Sequence, residues 1–258
     1  MMPLTVAAYA FTASADVRDN HAAIIAGIEH AAKAKAKLVA FPECSLCGYP
    51  PATGAFTGTD CRLAELAEDI IAAAAKRDLV VVFGSTAPDG RGSFLNLAIA
   101  GGACPTQRLA KRALTAHDRA WFAPGPPTPL LVRVAGWQIA LAICYEVRQA
   151  RWWYEAAAAG ADAAVIIAHQ AGSDPDPGTK AQVLPALHAA RAAELALPIL
   201  LANTAAPDRW LESAAWDARG RLLGARAQGL LVAAWEHRSQ LDPWYEQLRR
   251  DALQSWRG

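Results

Sequence analysis

Cys144 closes the apolar run Trp137–Ile143 and is followed at once by the helix-like stretch Glu146–Ala159. A thiol at such a junction sits near helix-start N–H groups, which lower its pKa and are placed to hold an oxyanion. Taken alone, it reads more plainly as a buried structural cysteine. Glu43, in Phe41-Pro42-Glu43, directly follows another apolar run. In open α/β sheets the carboxyl ends of strands face the ligand crevice, where a carboxylate is well placed as a base; the plainer reading is a solvated or capping glutamate. Lys111 follows the candidate strand Gln107–Ala110 and, taken singly, forms a solvated basic pair with Arg112. Each residue is weak evidence by itself. Their shared placement, each just past a strand, is what gives the three weight.

The elements that must position them alternate. Short apolar runs, at Leu4–Tyr9, Lys37–Phe41, Leu79–Gly84, Leu95–Ala100, Gln138–Cys144, Ala163–His169 and Pro198–Ala202, predict strands. Several are apolar on both faces, as in largely parallel sheets buried from both sides. Alanine-rich stretches of helical period predict helices over Asn20–Lys35, Asp60–Arg77, Glu146–Ala159, Lys180–Leu197 and Pro243–Trp256. Leu211–Trp216, Arg221–Gly224 and Leu230–Trp235 read as closing strands. No linker separates two cores, although Pro124–Pro129 makes a stiff crossing. The expectation is one α/β domain over 1–258 with two halves of similar rhythm.

Composition narrows the partner. The chain has 258 residues, 53% of them hydrophobic and about a quarter alanine, enough for a sizeable core. A formal net charge of +1 without blocks of like charge gives no footprint for nucleic acid. Charges or prolines interrupt every apolar run well short of a membrane span, so no membrane partner is expected. Five cysteines, an odd number, point to reduced thiols and a cytoplasmic setting. Leu4–Ala15 lacks the basic start of an export signal and reads as a first strand. A small molecule is the default partner.

Glu43, Lys111 and Cys144, in that order, resemble the catalytic triad of the carbon–nitrogen hydrolase (nitrilase) superfamily. Flanking blocks carry the likeness further: Gly48-Tyr49-Pro50 after Glu43, Trp121-Phe122-Ala123-Pro124-Gly125 after Lys111, and Ile143-Cys144-Tyr145-Glu146-Val147-Arg148 around the thiol. Gly160-Ala161-Asp162, Arg191-Ala192-Ala193-Glu194 and Asn203 extend it to about Trp235. The resemblance implies a four-layer α-β-β-α sandwich with two pseudo-symmetric halves. It implies a Cys144 thiolate attacking an amide or nitrile carbon, Glu43 carrying the proton, and Lys111 with the Tyr145 N–H stabilising the oxyanion. The Lys111 charge would also favour the thiolate. No metal or cofactor is required. Tyr49, Trp121, Tyr145, Glu146, His169 and Gln170 are the implied substrate-binding positions. Self-association as a homodimer or larger homo-oligomer is also implied, with the tail 236–258, including Trp244, Tyr245 and Trp256, as a contact element.

Departures are specific. Where many amidases of the superfamily carry a second glutamate, this chain has Asp118, one methylene shorter, which puts a fourth catalytic role in question. Ala168-His169-Gln170 stands where a Pro-Ser or Pro-Thr turn is common, pointing to an unusual acyl preference. Cys44-x-x-Cys47 lacks a second pair for a zinc site and reads as pocket packing. The nine tryptophans read as core and contact volume. Asp174-Pro175-Asp176-Pro177-Gly178 reads as a loop at the site mouth.

A thiol amidohydrolase acting on a small linear amide or N-carbamoyl compound is therefore expected. The alternatives are a nitrilase, or a catalytically weakened relative that binds ligands or partners. A Rossmann-type nucleotide binder fails for want of a G-x-G-x-x-G loop after the first strand.

Overall fold

A computed structural model describes residues 2–127, 130–172 and 177–257. The first part of the chain gives β1 (Leu4–Ala10), β2 (Leu38–Ala40), β3 (Val80–Pro88), β4 (Phe94–Gly102) and β5 (Gln107–Ala110). The second gives β6 (Leu130–Val134), β7 (Trp137–Ile143), β8 (Ala163–Ala168), β9 (Ile199–Asn203), β10 (Ser213–Trp216) and β11 (Leu222–Arg226). The last strand, β12 (Gly229–Trp235), returns to the first sheet, whose order is β12-β1-β2-β3-β4-β5; the second is β11-β10-β9-β8-β7-β6.

Helices α1 (Val17–Lys33) and α3 (Leu63–Ala75) make the crossovers between the parallel strands β1, β2 and β3, with a single turn, α2 (Pro50–Thr53), between them. Helices α4 (Ala150–Ala158) and α5 (Pro177–Leu195) do the same for the parallel strands β7, β8 and β9. Three apolar layers separate four layers of structure. Val6, Leu38 and Val80 of one sheet meet Ile139, Val165 and Leu200 of the other. Ile24, Ile28 and Ile70 seal the first sheet from outside. Trp153, Ala156 and Leu195 seal the second. Strands apolar on both faces follow from this stacking. The α-β-β-α sandwich with similar halves is as expected.

Sequence periodicity located most elements within a few residues. It missed β6, a short strand closed onto β7 by the tight turn Ala135-Gly136, both at positive φ. The helix expected from Glu146 is two elements: a 3-10 turn over Cys144–Arg148, then α4 after an extended Gln149. Residues 128–129 of the proline-rich crossing and 174–176 of the expected mouth loop lie outside the described residues. The tail forms α6 (Pro243–Arg257), whose buried Arg249 donates to the carbonyls of Ala157, Ala161 and Leu195. One guanidinium thus satisfies backbone acceptors at the ends of both α4 and α5. Trp244 and Trp256 are exposed on this helix. No helix among the described residues is long and apolar enough to cross a membrane.

Candidate active site

Glu43, Lys111, Asp118 and Cys144 come together where the two sheets end. Glu43 leaves β2 through Pro42, and its N–H donates across the sandwich to the Ala168 carbonyl at 3.4 Å. In return the His169 N–H donates to Glu43 Oε2 at 3.0 Å. Gly84 permits this approach, because a Cβ there would lie 2.1 Å from the Cys44 nitrogen. Ser45 anchors the same turn, its hydroxyl accepting the Gly84 N–H at 3.0 Å.

Lys111 is wholly buried, which corrects its reading as half of a solvated pair. Its Nζ donates to Glu43 Oε1 at 2.6 Å and to Asp118 Oδ2 at 2.8 Å. Burial alone would lower its pKa, but Glu43, Cys144 and Asp118 together raise it, so the ammonium is held charged. The shorter Asp118 reaches Lys111 because it opens a 3-10 turn, Asp118–Ala120, whose approach is fixed by Thr115. The Thr115 N–H and hydroxyl both donate to Asp118 Oδ2, and the Tyr49 hydroxyl donates to Oδ1 at 2.9 Å. Burial pushes the Asp118 carboxyl up, yet Lys111 and these donors outweigh it and leave it below the usual range. The aromatic-x-Pro-Gly turn docks onto the lysine's main chain, where the Gly125 N–H meets the Lys111 carbonyl at 2.8 Å.

Cys144 is half-buried at the end of β7, with φ of 48°. A left-handed conformation at a residue with a Cβ is uncommon and stores strain; here it turns the chain sharply out of the strand. Burial, and next Glu43, raise the thiol pKa; Lys111 and the His169 N–H lower it without prevailing. A desolvated site disfavours a further negative charge beside Glu43, against which the Lys111 charge acts.

Of the positions expected to bind substrate, Tyr49 and His169 meet at the cluster, their rings 4.7 Å apart and inclined by 30°. Burial lowers the His169 pKa, so its ring is neutral near pH 7. Trp121 stacks on Phe56 at 5.7 Å, and Tyr145, next in the chain to Cys144, is exposed. Gln170 is buried, its N–H on Asn203 Oδ1 and its carbonyl receiving the Trp210 N–H. The Glu146 carboxyl group accepts the Ile143 N–H at 2.8 Å and the Arg112 N–H at 2.7 Å, so it braces the ends of β7 and β5. Sequence reasoning missed Asn96, whose Nδ2 donates to Glu43 Oε1 at 2.8 Å. An asparagine within the apolar run Leu95–Ala100 was the available signal, since buried polar groups need partners. The described residues contain no cluster of histidine, cysteine and acidic side chains fit to hold a metal.

Two stacked mixed sheets between helix layers are the fold of nitrilase-superfamily amidases. The chain belongs to the carbon-nitrogen hydrolase family, whose model matches residues 5–236. Among solved structures it is similar to an amidase from Nesterenkonia sp. AN1. A mutant of that amidase, with acrylamide joined to the active site cysteine by Michael addition, is 23% identical with a TM-score of 0.77; the match covers 98% of this chain and 99% of that one. A cysteine-to-alanine mutant in complex with butyramide is 24% identical over 98% and 96% of the two chains, with a TM-score of 0.77. A cysteine-to-serine mutant from the same nitrilase-superfamily amidase is 25% identical over 98% and 97%, with a TM-score of 0.78. Among curated proteins, none matches.

Proposed function

We propose that the chain is a thiol amidohydrolase cleaving the C–N bond of a small linear amide or N-carbamoyl compound. The observation that carries this reading is the buried Glu43–Lys111 pair, 2.6 Å apart, in electrostatic contact with the Cys144 thiol. As Cys144 Sγ attacks the carbonyl carbon, its proton passes to Glu43. Lys111 and the Tyr145 N–H stabilise the developing oxyanion. Glu43 then protonates the leaving nitrogen, the C–N bond breaks, and ammonia or an amine departs from a Cys144 thioester. Water gives a proton to Glu43 and attacks the thioester; the C–S bond breaks, Cys144 recovers the proton, and a carboxylic acid is released. Asp118 and Tyr49 hold the Lys111 ammonium between the two carboxyl groups. The similar amidase's complexes with acrylamide and butyramide support an amide over a nitrile. The same reading carries self-association through α6, with Trp244 and Trp256 at the contact.

Ammonia release from a panel of short-chain amides, N-carbamoyl amines and nitriles tests the proposal. Turnover of amides or N-carbamoyl compounds is expected, and release from nitriles alone would sink it. A Cys144 no more reactive toward a small electrophile than the other four thiols would favour a ligand-binding relative instead.

A further inference from the structure

The Glu43 carboxyl group is held unequally at its two oxygens. Oε1 accepts both Lys111 Nζ, at 2.6 Å, and Asn96 Nδ2, at 2.8 Å. Oε2 accepts the backbone N–H of His169 at 3.0 Å, an N–H that also lies against the Cys144 thiol. We infer that Asn96 is a positioning residue that fills the remaining acceptor direction of Oε1, leaving Oε2 as the oxygen that takes and returns the proton. The inference rests on the reading of Glu43 as the base.

A carboxylate oxygen offers about two in-plane acceptor directions. At Oε1 both are used, so a proton arriving there would have to displace an ammonium or an amide donor. At Oε2 the His169 N–H takes one direction and the other remains, and the same N–H also meets the Cys144 thiol. Asn96 is wholly buried in β4, and its carbonyl accepts the Lys111 N–H at 2.8 Å. One residue thus fixes the main chain of Lys111 and the side chain of Glu43. Its orientation follows from chemistry, because a carboxylate can only accept and the amide must present its NH₂. The consequence is visible at the other end of the same group. Asn96 Oδ1 is buried with no hydrogen-bond partner among the described residues, an arrangement that costs stability. An apolar residue would suit the strand better, so the asparagine serves the carboxyl group and not the packing.

The test is the pH dependence of kcat and KM for Asn96→Leu, Asn96→Asp and Glu43→Gln in the full chain, with butyramide as substrate and thermal unfolding as the control. Asn96→Leu is expected to lower kcat about 10- to 100-fold, with KM changed less than about threefold, because the base loses its fixed orientation. Asn96→Asp places a like charge beside Oε1, which favours the protonated carboxyl of Glu43 and moves the acidic limb of kcat/KM to higher pH. This near-isosteric change keeps the inference testable should Asn96→Leu fold poorly. A purely structural asparagine would lower the melting temperature and leave that limb in place. Undiminished kcat in Asn96→Leu, or an unmoved limb in Asn96→Asp, alongside an inactive Glu43→Gln, would overturn the inference. An active Glu43→Gln would overturn the base assignment beneath it.

Discussion

The parallel triplets β1-β2-β3 and β7-β8-β9 are wound alike, each with two crossover helices and each continued by two antiparallel strands. Their strand ends differ. After β1 comes Phe11, packed at 6.5 Å from Phe41; after β7, in the equivalent place, comes Cys144 in a left-handed turn. After β2 the chain offers the carboxyl of Glu43, and after β8 it offers the backbone N–H of His169. Past β5 stands the buried Lys111, whereas β11 is largely exposed. Equivalent topology therefore delivers two sets of strand ends to one edge, and the proposed chemistry would come from filling those ends unequally. The first half supplies the carboxyl and ammonium, and the second supplies the thiol.

The sharpest way to break this comparison is to exchange the proposed nucleophile. Cys144→Ala is expected to abolish turnover, by more than about 10⁴-fold, while the melting temperature shifts by only a few degrees. Phe11→Leu, at the equivalent end of β1, is expected to cost on the order of 1 kcal/mol and leave kcat within about threefold. Ammonia release and thermal unfolding measure both. Turnover surviving in Cys144→Ala would dismiss the unequal division of roles.

Lys111→Met comes next. It leaves the buried carboxyl groups of Glu43 and Asp118 without the cation between them, so turnover and stability should fall together. The stability loss should be on the order of 3–5 kcal/mol, read from denaturant unfolding. A fully stable, inactive Lys111→Met would mean that the ammonium serves chemistry alone.

Glu146→Gln probes the joint between halves. A carboxylate accepts both the Arg112 and Ile143 N–H groups, but a carboxamide must turn its NH₂ toward one of them. The expected result is a loss of about 1–3 kcal/mol and a fall in kcat of roughly tenfold or more, with little change in KM. Unaltered kcat in the folded variant would show that the brace does not register Lys111 against Cys144.

How far the site was legible from sequence follows the same division. Glu43, Lys111 and Cys144 each follow a candidate strand, but each alone read more plainly as structural or solvated, and it was the resemblance of their order and flanking blocks to the carbon–nitrogen hydrolases that exposed them. Asp118 was visible only as a departure, and Thr115, which lets the shorter side chain reach Lys111, gave no signal beyond Thr-x-x-Asp spacing. Asn96 lies inside a strand, where the pattern marks burial but cannot say which partner across the sheet its amide meets. The bracing role of Glu146 was not legible, because the hydrogen bonds it accepts come from main-chain groups 3 and 34 residues away, which no side-chain motif records. The strands were found through their apolar runs; β6 was lost because a turn at positive φ, set by Ala135-Gly136, is not a periodic feature.

The smallest expected effect separates the outer layers. Helix α3 buries Leu63, Ala67, Ile70 and Ala74 against the first sheet, whereas its equivalent, α5, buries His188, stacked on Trp216 at 5.0 Å. One ring nitrogen meets the Leu184 carbonyl at 2.7 Å, and burial pushes the pKa of the ring down from 6.5 to about 4. The unfolded chain therefore binds a proton below pH 6.5 that the folded chain refuses until about pH 4. Since the unfolded state holds more protons in this window, stability must fall as pH falls, and the contribution present above 6.5 is lost on the way to 4. The loss is on the order of 3 kcal/mol at most. Denaturant unfolding between pH 7 and pH 4 should show that slope in the native chain and a shallower one in His188→Phe, which keeps a ring against Trp216 without a titrating group. Identical slopes would place the acid sensitivity elsewhere and leave the two outer layers equivalent in their response to pH.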